Sequence, residues 1–170
     1  MTRGASITYL ITFACYGCHL HGDPKGSVDR AHNMPGSRFV EGDTKWTASA
    51  RSQMDQPSYS LDEVRRQAVL ESMVERCAHC DWHLLVAHVR TNHVHIVIEA
   101  EARPERVMND LKSYASRRLN QLGLDSADRK RWARHGSTRW LWNRPDVSAA
   151  LQYVVDKQGE PMAVYNSTEP

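Results

Sequence analysis

The sharpest alternation of polar and apolar positions runs through Thr91-Asn92-His93-Val94-His95-Ile96-Val97-Ile98-Glu99. A period of two with β-branched residues predicts a half-buried strand. Residues i and i+2 of a strand share a face, so His93 and His95 point one way and Val94, Ile96 and Ile98 the other. The apolar run from Trp82 to Arg90 supplies the other arm of a hairpin about Thr91-Asn92. Ser6 to Tyr16, rich in Ile, Thr, Tyr and Phe, predicts a central strand.

Helical spacing appears three times. Ser60-Leu61-Asp62-Glu63 reads as a capping box that starts a helix running to about Cys80. Val64, Ala68, Leu70, Met73, Val74 and Cys77 form its expected buried stripe. Arg103-Pro104-Glu105 opens a second helix to about Leu122, with Pro in its first turn and a stripe of Val107, Leu111, Ala115 and Leu119. After a mixed, basic stretch with room for a short helix, Arg139 to Trp142 reads as a strand. Asn143-Arg144-Pro145 then starts a last helix, Asp146 to Gln158, which Gly159 and Pro161 end. The order β-α-β-β-α-β-α predicts one α+β domain over residues 1–170, an antiparallel sheet with helices packed on one face. Outside this pattern lie a long loop at about 17–59, with one short element around Arg38-Phe39-Val40, and a C-terminal tail from about 160.

Composition adds limits. A chain of 170 residues is long enough to bury a core. Its 22 Lys+Arg nearly balance its 20 Asp+Glu, so net charge alone does not advertise nucleic acid. The distribution is more informative. Lys112, Arg117, Arg118, Arg129, Lys130, Arg131, Arg134, Arg139 and Arg144 follow one another, opposed in that stretch only by Asp125 and Asp128. Such a run suits a phosphate-facing surface or an ordinary solvated one. Lys112, Arg117 and Arg118 lie off the apolar stripe of the second helix, and with Arg139 and Arg144 they are the candidate phosphate contacts. No apolar stretch is long enough to span a membrane and no signal peptide is visible, which predicts a soluble, cytoplasmic protein without a membrane partner. Cys15, Cys18, Cys77 and Cys80 form two Cys-x-x-Cys pairs, one at a strand end and one at a helix end. They read as reduced thiols rather than as a zinc site.

The candidate chemistry sits on two elements. Two imidazoles side by side on a strand face can hold a divalent metal. On the last helix Val147, Leu151 and Val154 make the buried stripe, and Tyr153 lies on a neighbouring face beside the small Ala149 and Ala150. Lys157 is one turn further on, so the phenol and the ammonium can meet. A phenol is a weak nucleophile at neutral pH, and a nearby cation or metal favours the phenolate.

His93-Val94-His95 on a strand resembles the His-hydrophobe-His motif of HUH single-strand endonucleases, and Tyr153 on a C-terminal helix resembles their nucleophile. Tyr9-Leu10-Ile11-Thr12-Phe13, the helix with Leu111-Lys112-Ser113-Tyr114, and Trp140-Leu141-Trp142 before the Tyr helix fit the same order. The pattern is similar to the single-tyrosine HUH transposases, particularly the REP-associated tyrosine transposases of bacteria, over about Ser6 to Gly159. Only the His pair and the Tyr helix are specific. The resemblance implies a ferredoxin-like HUH endonuclease fold and Mg²⁺ or Mn²⁺ held by His93 and His95. It also implies attack of Tyr153 on a scissile phosphate in single-stranded or hairpin DNA, which makes Lys112, Arg117, Arg118, Arg139 and Arg144 candidate contacts to the DNA backbone. The implied products are a 5′-phosphotyrosine bond and a free 3′-OH, which reseals the strand without ATP. Many relatives place a polar third metal ligand four residues after the Tyr. Here that position is Lys157, which cannot ligate while protonated. The third ligand is then Gln158, if the helix loosens near its end, or a residue elsewhere, and Lys157 takes the role of the cation that supports the phenolate. The alternative is a domesticated relative that binds hairpin DNA without cutting it, although a pure binder has no reason to keep His93, His95 and Tyr153. Homodimerisation is left open.

Overall fold

The computed structural model describes residues 5–18 and 52–167. The expected element around Arg38-Phe39-Val40, and most of the expected long loop, lie outside them. Among the described residues eight elements follow in order: β1 (Ile7–Cys15), α1 (Glu63–His79), β2 (His83–Val89), β3 (His93–Ala100), α2 (Pro104–Gln121), β4 (Trp132–Leu141), α3 (Arg144–Asp156) and β5 (Ala163–Asn166). The strands form one antiparallel sheet in the order β4-β1-β3-β2-β5. This is the α+β architecture that the patterning predicts.

Strand alternation divides the molecule into two layers of core. Tyr9, Ile11 and Phe13 of β1 and Val94, Ile96 and Ile98 of β3 face α1 and α2. The α2 stripe of Val107, Leu111, Ala115 and Leu119 is completely buried there, each side chain contributing roughly 1–3 kcal/mol of burial. On α1 the buried positions are Ala68, Val69, Leu70, Ser72, Met73 and Cys77, whereas Val64 is 61% exposed. Asp62, not Ser60, caps the helix by accepting the Arg65 N–H at 2.9 Å, and Val64 lies in its first turn. Contrary to the expectation that all helices pack on one face, the third helix lies on the opposite face of the sheet. Ala150 and Val154 of α3 pack with Val86, Val97 and Leu141, and Leu10 and Leu85 border them. The two long helices therefore share one face, and α3 covers the face that carries the His pair.

Two elements differ from the patterning. β4 begins at Trp132, well before Arg139, and its register against β1 shifts between Phe13 and Cys15. Gly136 lies in this strand because a Cβ there would meet Thr12 O at 2.5 Å and Met108 Sδ at 2.6 Å. β5 lies in the expected tail, four residues paired with the edge of β2. All four cysteines are free thiols, Cys15 and Cys77 buried, and burial pushes both up to about 12.

Candidate active site

β3 sets the site. His93 and His95 stand on the α3 face, with ring centroids 4.7 Å apart. β1 lies alongside with Thr12 directly opposite His95, and Thr12 Oγ1 is 2.8 Å from His95 Nδ1. His93 Nδ1 is 2.6 Å from Asn92 Oδ1, to which it can donate. In each ring a fixed neighbour occupies Nδ1 and orients the imidazole. The Asn92 oxygen can only accept, so it places the His93 proton on Nδ1, whereas the Thr12 hydroxyl can donate to or accept from His95. His95 is only 4% exposed, and no hydrogen bond within 3.5 Å reaches its Nε2 among the described residues, although the Gln158 side chain lies near enough to act on the ring. A buried polar atom left so is costly unless something absent from the protein chain meets it.

Burial, with His93 and His88 beside it, pushes the His95 imidazole down from its ordinary 6.5 to about 3. The ring is therefore neutral near pH 7 with a lone pair available. The unfolded ring takes a proton near 6.5 and the folded ring only near 3, so this stability is complete above pH 6.5 and drains as pH falls toward 3. Thermal denaturation between pH 7 and 4 should show the loss, at up to about 1.4 kcal/mol per pH unit. His95→Phe should flatten the slope; an equal slope in that variant would place the acid sensitivity elsewhere.

α3 brings Tyr153 over this pair. Asn143 caps the helix by accepting the Asp146 N–H at 2.9 Å, and the Pro145 ring suits its first turn. The apolar stripe then lays the C-terminal half of α3 on β2 and β3. The Tyr153 ring meets His95 edge-to-face at 5.6 Å between centroids and remains 42% exposed. The regular helix ends at Asp156, with Lys157 as its C-cap. Gly159, with φ of +79°, lets the chain reverse. Gln158 folds back: its amide donates to Tyr153 O at 3.1 Å and lies close enough to His95 to favour the protonated ring. Lys157 joins Tyr153 only through the main chain, N–H to Tyr153 O at 3.3 Å.

The structure thus brings together His93, His95, Tyr153 and Gln158, residues that the sequence had placed on two distant elements. It adds Thr12 and His88, which the sequence reading passed over. His88 lies directly opposite His95 across β2 and β3. Counting outward from the Thr91-Asn92 turn already pairs them, so the hairpin carried that signal. Among the described residues no three His, Cys, Asp or Glu side chains converge to hold a metal. A divalent ion here would take two imidazoles and the Gln158 amide oxygen, and the buried His95 Nε2 fits such a group.

The basic residues separate. Arg139 stands opposite Leu10 on the face that α3 covers, and Arg144 is the first residue of α3; both are exposed. Arg117 and Arg118 lie on α2, in the layer behind the sheet. Arg118 pairs with Glu75, and Arg117 lies over the Tyr114 ring at 5.1 Å. Lys112 does not face solvent. It is 7% exposed and donates to the carbonyls of Ala133 at 3.0 Å and His135 at 3.3 Å. The register shift of β4 accounts for this, since it withdraws carbonyls from the ladder and the ammonium meets them. Burial lowers the Lys112 pKa to about 8. Lys112 therefore leaves the set of DNA contacts. Lys112→Ala should cost about 1–3 kcal/mol in urea unfolding with DNA affinity unchanged; a fall in affinity at constant stability would restore it. Arg129, Lys130 and Arg131 are likewise committed, to the carbonyls of Pro57 and Ser58, to Asp55, and to Asp125 with Asn120.

The family model of IS200-like transposases matches residues 57–144, just over half of the chain. The chain belongs to that family. The match takes in His93 and His95 and stops at the first residue of α3, so Tyr153 lies beyond it. Two solved structures are similar in fold. One is a REP-associated tyrosine transposase bound to a REP hairpin (9% identity, TM-score 0.48), over 91% of this chain and 68% of that one. The other is a candidate transposase from Deinococcus radiodurans R1 (12% identity, TM-score 0.47), over 93% of this chain and 98% of that one. No curated protein matches the chain. No helix among the described residues is long and apolar enough to cross a membrane.

Proposed function

We propose that this transposase nicks and rejoins single-stranded DNA beside a hairpin, with Tyr153 as nucleophile. The observation that carries the reading is the Tyr153 ring resting on a buried imidazole whose Nε2 no hydrogen bond reaches among the described residues. His93, His95 and Gln158 would hold Mg²⁺ or Mn²⁺, which when bound would supply positive charge at the scissile phosphate. Thr12 and Asn92 keep the two rings oriented. The Tyr153 oxygen bonds to phosphorus, the bond from phosphorus to the 3′-oxygen breaks, and the proton lost by the phenol is balanced by one gained at the 3′-oxygen. The strand end becomes a 5′-phosphotyrosine, which stores the bond for resealing by a 3′-OH without ATP. Lys157, on the turn after α3, supplies a cation toward which the phenolate is drawn. Arg139 and Arg144 take the DNA backbone on the face of the site, and Arg117 and Arg118 meet only DNA that continues round to the helix layer.

The direct test is nicking of hairpin-bearing single-stranded DNA with Mg²⁺, with Mn²⁺ and with chelator. Metal-dependent nicking is expected. Tight hairpin binding without nicking under any of these conditions would return the chain to a binding role.

A further inference from the structure

His88 belongs to none of the groups assigned above, yet it is fully buried and bonded on both ring nitrogens. Its Nδ1 is 3.2 Å from the carbonyl of Val154, and its Nε2 is 3.1 Å from the N–H of Met162 and 3.4 Å from the Arg90 guanidinium, which can likewise only donate. A carbonyl can only accept and an amide N–H can only donate, so the proton sits on Nδ1 and the lone pair on Nε2. Only the neutral ring satisfies both. Val154 adjoins Tyr153 and lies in the last turn of α3, where carbonyls lack helical partners. Met162 leads into β5. The two bonds therefore bracket the whole turn of residues 157–162, the turn that carries Lys157 and Gln158. Arg90 holds its middle, donating to Glu160 O at 2.9 Å. A single side chain on β2 thus ties the end of the Tyr helix, and the strand after it, to the sheet beside His95.

We propose that His88 is a positioning residue: through Val154 it fixes the end of α3 so that Tyr153 and Gln158 face His95. The proposal rests on the reaction assigned above, but the latch itself exists without DNA or metal. A displacement of about 1 Å at a reacting group can cost roughly 10²-fold in rate, and α3 rests on only a small apolar contact, so one buried bond at its end matters.

The two bonds can be separated. His88→Asn places an amide nitrogen where Nδ1 stands, and His88→Gln places an amide oxygen near the position of Nε2. His88→Phe keeps a ring and loses both. In the protein free of metal and DNA, ¹⁵N NMR should show the wild-type His88 ring as one neutral tautomer protonated at Nδ1, with a slowly exchanging Met162 amide. His88→Phe should lose that protection and the close Tyr153–His95 ring contact. With hairpin-bearing single-stranded DNA, His88→Phe should slow formation of the covalent adduct roughly 10²-fold while DNA affinity changes less than about twofold. His88→Asn should recover more of the rate than His88→Gln, because the Val154 bond is the one beside Tyr153. A wild-type ring protonated at Nε2, a Tyr153–His95 contact unchanged in His88→Phe, or rescue by Gln rather than Asn would overturn the proposal. If His88→Phe does not fold, the wild-type tautomer and the order of the Asn and Gln rates still decide it. Wild-type protein that shows the latch by NMR but forms no adduct would contradict the assigned reaction and leave the latch standing.

Discussion

Tyr153→Phe is expected to abolish the covalent protein–DNA adduct, by at least roughly 10³-fold, because it removes the nucleophile itself. The substitution deletes one oxygen from a ring that is partly exposed and makes only an edge contact with His95. Fold and hairpin affinity should persist, since the ring remains and the apolar contacts of α3 come from the buried Ala150 and Val154 with Val147, Leu151 and Val155 beside them. The rival is Tyr114, which also lies among basic residues. Its ring is held under the Arg76 guanidinium at 3.9 Å, with Arg117 at 5.1 Å, in the helix layer behind the sheet. No His of the β3 pair reaches that layer. Tyr114→Phe should therefore form the adduct at close to the wild-type rate. Gel analysis of protein linked to labelled single-stranded DNA distinguishes the two variants.

His93→Ala and His95→Ala should each abolish the adduct and sharply weaken Mn²⁺ binding, while hairpin affinity and its salt dependence stay near wild type. Affinity for DNA rests mostly on phosphate contacts, which these rings do not supply. The metal effect should exceed the roughly 10–100-fold that the loss of an outer hydrogen-bond partner of a ligand costs. Thr12→Val supplies that comparison, since it removes the hydroxyl beside His95 Nδ1 and leaves the ring in place. Mn²⁺ titration by calorimetry measures the series. Equal Mn²⁺ affinity in wild type and both Ala variants would remove the His pair from the metal site.

What could be read from the chain alone follows from the range of the interactions. Alternation along β3 places His93 and His95 on one face because a strand has a fixed period, and the α2 stripe emerges for the same reason. β5 is indistinguishable from tail in the sequence because four residues on a sheet edge carry too little periodicity. Helical spacing places Lys112 off the apolar stripe of α2, which makes it a candidate DNA contact. Its partners are carbonyls freed by a register shift on a strand 21 and 23 residues further on, which no local pattern reveals. The position of α3 on the His face was equally non-local. It depends on Val86, Val97 and Leu10 offering an apolar patch that the alternation of each strand hints at but the sheet order assembles. His88 could have been found by extending the hairpin register from the turn, whereas Thr12 needed the pairing of β1 with β3.

The most direct measurement is to trap the covalent complex with a hairpin-bearing single strand, digest it, and identify the peptide that carries the nucleotide. DNA on Tyr153, in the α3 peptide, is the predicted result. DNA on Tyr114 or any other side chain, or no linkage under conditions where the strand is nicked, would contradict the account.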